Sequence, residues 1–307
     1  MKAKPRRAAL CALSAALLLA LNACGAQGTE ARGTSQEGLP AHPRRVVALT
    51  SSLADLWLGA GGELVATTSD IAERSLDWDT DGILKVGGAL RINEELILAA
   101  EPDLVIMSPT IPTHLRLADT LRAAGIAFLR VEVDSFEQYL DALKRFTELT
   151  GRADLYEANG LAQRARIEAL LARAPRERAP TYLLLRASSS DVKAIAGDHS
   201  VCAMAEAFGA VGAADPSNAV FKELSLESVL SLDPDHIFVV TLGSDETASM
   251  AALARALTDG PLWGSLKAVQ NGRFAVLPKE LFHFKPNRRW GEAYEALGKI
   301  LYPDVFG

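Results

Sequence analysis

Two segments of the chain, 132 positions apart, can be laid on one another without a gap. Glu95-Leu-Ile-Leu-Ala-Ala-Glu-Pro-Asp-Leu-Val-Ile106 runs beside Glu227-Ser-Val-Leu-Ser-Leu-Asp-Pro-Asp-His-Ile-Phe238. Each reads as a short helix, a Pro-Asp turn and a buried strand, since the residues after the turn are apolar without the alternation of a half-exposed strand. One such unit in each half of the sequence constrains the chain to two lobes built on one plan.

The rest of the sequence extends that plan. Apolar runs of strand length at residues 45–49, 64–66, 104–107, 127–131 and 181–185 alternate with helical stretches, the pattern of βαβ units around parallel sheets. Residues 115–124 read as a helix stopped by Gly125. A long amphipathic stretch over 135–173 is interrupted near Gly151, and Leu155, Ala158, Ala162, Ala165 and Leu170 keep helical spacing through its second half. The expected fold class is therefore α/β, with a lobe over 43–152, a helix over 153–175 and a second lobe over 176–307.

The residues before the body have another character. Residues 1–23 combine Lys2, Lys4, Arg6 and Arg7 with an apolar run over 8–21, the length of a secretory signal rather than of a bilayer span. Leu21-Asn-Ala-Cys24 then gives a lipidation signal at Cys24; an ordinary secretory signal with an incidental cysteine shares the same features. Residues 24–42 are mostly Gly, Thr, Ser, Gln and Glu, a flexible tether. Of the 32 basic residues four belong to the leader, and the remaining 28 face 38 acidic ones, a balance that excludes a nucleic-acid partner. With 49% hydrophobic residues, disordered and fibrous architectures are excluded as well. Cys202 is left alone once Cys11 and Cys24 are set aside, so the mature body has no internal disulfide and relies on its core.

Catalytic signatures are missing: the chain has no Gly-x-Ser-x-Gly, no Walker loop, no Gly-x-Gly-x-x-Gly and no His-Glu-x-x-His. The five histidines are dispersed without the close pairs that often mark a metal site. Neither a catalytic function, a resident metal nor a cofactor is expected. Asn93 and Ser225 fit as helix N-caps, which sets Glu95 and Glu227 at the second helical position beside unpaired N–H groups. Two readings fit there: complementation of the helix dipole, or a matched pair of exposed carboxylates that docks on a two-fold partner. The densest recognition chemistry lies at Leu281-Phe-His-Phe-Lys-Pro-Asn-Arg-Arg-Trp290, where Lys285, Arg288, Asn287 and Trp290 offer cations, an amide and an aromatic face suited to an anionic or planar chelate. In the competing reading Trp290 packs on the core and Asn287 caps a helix over 288–301.

Taken in order, the leader with its Cys24, Arg45-Val-Val-Ala-Leu-Thr-Ser-Ser52, Val86-Gly-Gly88, Asn93-x-Glu95, the two Pro-Asp segments, and Trp263-x-x-Leu266-x-Ala-Val-x-Asn-Gly-Arg273-x-x-x-Leu277-Pro278 resemble one family. This is the group of substrate-binding lipoproteins of ABC importers for iron–siderophore complexes, haem and cobalamin, and the resemblance covers nearly all of residues 43–305. It implies two Rossmann-like lobes joined by a long backbone helix, with ligand in the cleft between them. It also implies that one Glu per lobe docks on the permease, and Glu95 and Glu227 fall on those positions. Ligand contacts then fall on loops after strands, with Ser51, Ser108 and Arg186 as candidates beside the 285–290 segment, and Trp78 over the cleft rim.

The expected function is an extracytoplasmic, lipid-anchored, monomeric receptor that carries a ferric siderophore or similar metal chelate to an ABC permease dimer. A corrinoid receptor of the same fold would rest on cleft aromatics and amides, and a haem receptor on a Tyr, His or Met reaching iron. A free-metal receptor would need three or four converging His or carboxylate ligands, and an enzyme would need a nucleophile and base.

Overall fold

Strands Val46–Ala48 and Leu104–Met107 are buried along their whole length, as the continuous apolar runs require of strands covered on both faces. The computed structural model that shows this describes residues 38–74, 78–197, 199–214, 224–243 and 245–307. The proposed signal at 1–23, Cys24, most of the tether and Asp77 lie outside the described residues.

The first sheet contains β1 (Val46–Ala48), β2 (Leu64–Thr67), β3 (Leu84–Lys85), β6 (Leu104–Met107) and β7 (Ala127–Arg130) in the order β3-β2-β1-β6-β7, all parallel. Between β3 and β6 a small antiparallel hairpin pairs β4 (Gly87–Gly88) with β5 (Arg91–Ile92). The second sheet orders β10 (Val211–Gly212), β8 (Thr181–Ala187), β11 (His236–Thr241) and β12 (Phe274–Val276) in parallel, with β9 (Val192–Ile195) antiparallel along β8.

Helices α1 (Ser51–Gly59), α2 (Glu94–Ala99), α3 (Pro112–Ala123) and α4 (Phe136–Thr150) belong to the first half. Ala153–Tyr156, the π-turn Glu157–Leu161 and Ala162–Leu171 follow one another as a single helical run, α5, between the two sheets in sequence. Gly151, at φ +71°, ends α4 in the left-handed conformation that lets its N–H bond to the Thr147 carbonyl, which is why the amphipathic stretch breaks there. Gly160 lets α5 approach α4, because a Cβ there would lie 2.9 Å from Leu140. In the second half come α6 (Ser200–Ala207), α7 (Leu226–Leu232), α8 (Glu246–Leu253) and α9 (Trp290–Leu301), the last packed along α5.

One continuous apolar core runs from the inner face of the first sheet through α4, α5 and α9 to the second, and each outer sheet face has its own smaller cluster. The packed body reaches further back than the tether boundary drawn from composition: Leu39 packs on this core and His42 Nδ1 donates to the Leu149 carbonyl at 3.2 Å.

The internal repeat extends to the backbone. Glu101 and Asp233, again 132 apart, are two of the three described non-glycine residues at positive φ, +46° and +37°. The Asp after each proline then holds the first strand of its lobe. Asp103 accepts from Arg44 and Arg45 N–H at 2.7 and 3.0 Å, and Asp235 accepts from Thr181 N–H at 2.9 Å.

Candidate functional site

The loops that follow β1, β6 and β7 meet the C-terminal segment around a cleft of about 240 Å³. Its position at the carboxyl ends of parallel strands is where an open α/β sheet leaves room for a ligand. Thr50, Ser52, Ser108 and Thr110 bring hydroxyls to the lining, Glu132, Asp134, Lys285 and Asn287 bring charge and an amide, and Leu53, Ile111, Val131 and Val133 fill the remainder. None of these twelve residues is aromatic, and none is His, Met or Cys.

Each polar group is held by its local structure. Thr50 is the N-cap of α1 and its hydroxyl accepts from Leu53 N–H at 3.2 Å. The Ser108 and Thr110 hydroxyls lie 2.9 Å apart, and Ser108 N–H donates to His114 Nδ1 at 3.1 Å. His114 is fully buried, and its Nε2 donates to the Ala89 carbonyl at 3.0 Å. Burial pushes this imidazole down to about 4, so at neutral pH it is uncharged and its proton sits on Nε2. The Lys285 ammonium pairs with the Asp134 carboxylate inside the lining. Asn287 adopts φ +49° and is 2% exposed; its Nδ2 donates to the Ser52 carbonyl at 2.9 Å and to Asp55 at 2.7 Å. Its Oδ1 is buried and has no hydrogen-bond partner among the described residues.

Behind the cleft lies a buried hub that the sequence reading missed. The Asp55 carboxylate on α1 accepts from Arg74 at 2.9 Å, from Trp78 Nε1 at 2.9 Å and from Asn287. The Arg74 and Asp55 side chains are 3% and 5% exposed. Arg74 also donates to the Ser52 hydroxyl at 3.1 Å and the Lys285 carbonyl at 3.2 Å, with its guanidinium over the Phe284 ring. Burial lowers the Arg74 pKa from its ordinary value, with Asp55 the largest opposing influence. The signal was present in α1: Asp55 is the one charged residue in Ser-Ser-Leu-Ala-Asp-Leu-Trp-Leu-Gly, a helix with mostly buried side chains.

Of the residues singled out in sequence, Ser108, Lys285 and Asn287 meet at the cleft. Ser51 is buried beside it, its N–H donating to Asp70 at 3.0 Å. Trp290 does not face a ligand at all: it is fully buried against Phe136, Tyr139 and Tyr294. Nor does Asn287 cap the helix that follows, whose N-cap is Arg289. Trp78 is half-buried, with the Arg288 guanidinium 4.8 Å over its ring, so neither is in the lining. Arg186 lies on β8 opposite Lys193, within electrostatic reach of His199 and His283, which burial pushes down to about 4.

Glu95 and Glu227 take the second helical positions of α2 and α7, behind N-caps Asn93 and Ser225, and both are exposed. Its own backbone N–H, then the Ser225 hydroxyl, hold the Glu227 carboxyl below the usual carboxylate range. Among the described residues no three His, Cys, Asp or Glu side chains converge on a metal position, and no helix is long and apolar enough to cross a membrane.

A family model described as a periplasmic binding protein matches residues 46–281. Among solved structures, the chain is similar to the periplasmic vitamin B12 binding protein BtuF of Vibrio cholerae, 21% identical with a TM-score of 0.70 over 86% of this chain and 98% of that one. A periplasmic heme binding protein from Pseudomonas aeruginosa is 24% identical, with a TM-score of 0.68 over 86% and 94% of the two chains. Staphylococcus aureus IsdE, solved with heme, is 15% identical, with a TM-score of 0.71 over 84% and 98%. These likenesses establish a shared fold. No curated protein sequence matches the chain.

Proposed function

The chain belongs to the periplasmic binding protein family, a family of extracytoplasmic substrate-binding transport proteins, and on that premise we propose that it is a receptor for a polar metal chelate of the ferric siderophore class. It holds the chelate between its lobes and delivers it to an ABC permease, with Glu95 and Glu227 as the docking carboxylates and a lipid on Cys24 as the membrane anchor.

The observation that carries the ligand reading is the chemistry of the cleft lining. Four hydroxyls, the Asn287 amide and Lys285 suit a compact ligand whose rim is oxygen and nitrogen. With Lys285 paired to Asp134 and Glu132 beside it, the lining favours a neutral or weakly charged chelate over a polyanion. A corrinoid would want aromatic faces, but Trp290 is in the core and Trp78 is covered by Arg288. Haem would want a Tyr, His or Met at iron, and the lining offers none.

Titration of the body with a ferric hydroxamate, a ferric catecholate, ferric citrate, cobalamin and haemin, followed by tryptophan fluorescence, tests this. Ferric hydroxamate binding is expected, weakened at least tenfold by Asn287→Asp or by Lys285→Ala with Asp134→Ala. Binding of cobalamin or haemin alone would overturn the ligand reading.

A further inference from the structure

Besides its docking glutamate, each lobe carries an exposed leucine on a turn adjoining the same short helix. In the first lobe the β4–β5 hairpin reverses at Ala89-Leu90, and Leu90 is 71% exposed, the most exposed large hydrophobic side chain among the described residues. The turn is braced from inside: His114 Nε2 donates to the Ala89 carbonyl, and Gly87, at φ +97°, holds the backbone where a Cβ would lie 2.4 Å from the Arg91 carbonyl. Asn93 N–H closes the base of the hairpin on the Val86 carbonyl at 2.7 Å, and the Asn93 side chain caps α2. The chain therefore passes from Leu90 to Glu95 through a rigid connection. Of the two acids at the start of α2, Glu94 receives the Thr120 hydroxyl at 3.2 Å, while Glu95 has no hydrogen-bond or ion-pair partner among the described residues.

In the second lobe the same pair arises from different chain segments. Gly260 sits directly on Leu226, the residue before Glu227, so closely that a Cβ would lie 2.4 Å from the Leu226 side chain. Two residues on, Leu262 is 56% exposed. Scattered exposed leucines are ordinary on a protein surface. Here the arrangement of leucine, turn and capped glutamate recurs in both lobes although only the helix belongs to the sequence repeat.

We propose that Leu90 and Leu262 are the apolar anchors of the permease-docking surface. The partner they fit is a pair of like permease subunits, each presenting a basic side chain inside an apolar collar. An exposed carboxylate meeting a cation in open water gains little. A leucine seated in the collar excludes water from the pair, which raises the value of each charge contact at the centre of the patch. This inference rests on the docking role of Glu95 and Glu227, and its test distinguishes the two.

Benzoylphenylalanine is placed singly at Leu90, Leu262, Glu95 and Glu227, and at Leu161 on α5 and Val211 on β10, which are also exposed. The full-length protein is irradiated in its own host membranes and adducts are identified by mass spectrometry. Adducts to a membrane-spanning ABC permease subunit are expected at 90, 262, 95 and 227, at least tenfold above those at 161 and 211. The double variant Leu90→Ser, Leu262→Ser should lower the yield at 95 and 227 tenfold or more without moving thermal unfolding. Permease adducts at 95 and 227 but not at 90 and 262 overturn the inference and leave the docking role standing. Equal yields at all six positions also overturn it, and no adduct at any position removes the docking role and the inference together.

Discussion

Replacing Asp55 by alanine removes one carboxylate and leaves three donors behind. The Arg74 guanidinium, with its side chain 3% exposed, loses its ion-pair partner, and the Trp78 indole and Asn287 amide each lose a hydrogen bond. An orphaned buried charge costs about 3–5 kcal/mol. A neutral donor left dry adds about 1–3 kcal/mol. Water reaches the half-buried Trp78, and Asn287 keeps the Ser52 carbonyl, so these terms do not add in full and the expected loss is about 4–6 kcal/mol. Urea unfolding followed by far-UV circular dichroism reads it: at a slope near 3 kcal/mol/M the midpoint falls by roughly 1.3–2 M. Asp55→Asn combined with Arg74→Met removes the charge together with its partner and should recover more than half of that loss. If Asp55→Ala costs less than about 1.5 kcal/mol, half the lower figure for an orphaned buried charge, or if the double variant is no better than the single one, the hub does not hold the body together as argued.

His236 is 1% exposed with neither ring nitrogen hydrogen-bonded, and the equivalent residue in the first repeat is Leu104; His236→Leu should raise stability by about 1–2 kcal/mol in thermal unfolding, and a fall would refute the argument. His114, His199, His236 and His283 are all pushed from 6.5 down to about 4 by burial. The unfolded chain takes up protons first, so the stability these groups contribute is complete above about pH 6.5 and is lost as pH falls through about 4; urea midpoints at pH 7, 5.5 and 4.5 should decline in that order, less steeply in His236→Leu, and an unchanged midpoint counts against it. Cys24→Ser should release the protein from host membranes, since a lipid chain contributes about 0.8 kcal/mol per buried methylene; retention after a high-salt wash refutes the anchor.

What was legible in the sequence was local. The duplicated helix, Pro-Asp turn and strand reads directly because caps, turns and buried strands are set by residues within a few positions of one another. Hence Asn93 and Ser225 cap the helices as expected, and the strand at 104–107 has the predicted bounds. The α3 helix begins three residues before the predicted start because Pro112 suits a first turn. The C-terminal segment was harder to read, because cations and aromatics gathered in ten residues serve a ligand or a domain seam equally well. Trp290 is drawn inward by Phe136 and Tyr139 and Phe284 is covered by Arg74, partners more than a hundred residues upstream that periodicity does not reveal. Asp55 is illegible for the same reason, since its partners come from two stretches outside its own helix, Arg74 and Trp78 from one and Asn287, 232 positions on, from the other.

The bond from Asn287 to Asp55 spans 232 positions of chain, and a ribosome delivers those positions in order. The first sheet can pair as soon as residue 130 is available, yet the α1 flank stays an unclosed seam until residues 285–287 arrive to bond Ser52, Asp55 and Arg74. A chain lacking residues 286 onward therefore leaves the Ser52 carbonyl and the Asp55 carboxylate without the Asn287 amide, with Asp55 held by Arg74 and Trp78 alone, the kind of partly closed state that exposes apolar surface. The helix flank is thus the latest-closing part of the first lobe: α1 is sealed only when residues 285–287 settle on it, although the sheet beneath it is complete by residue 130.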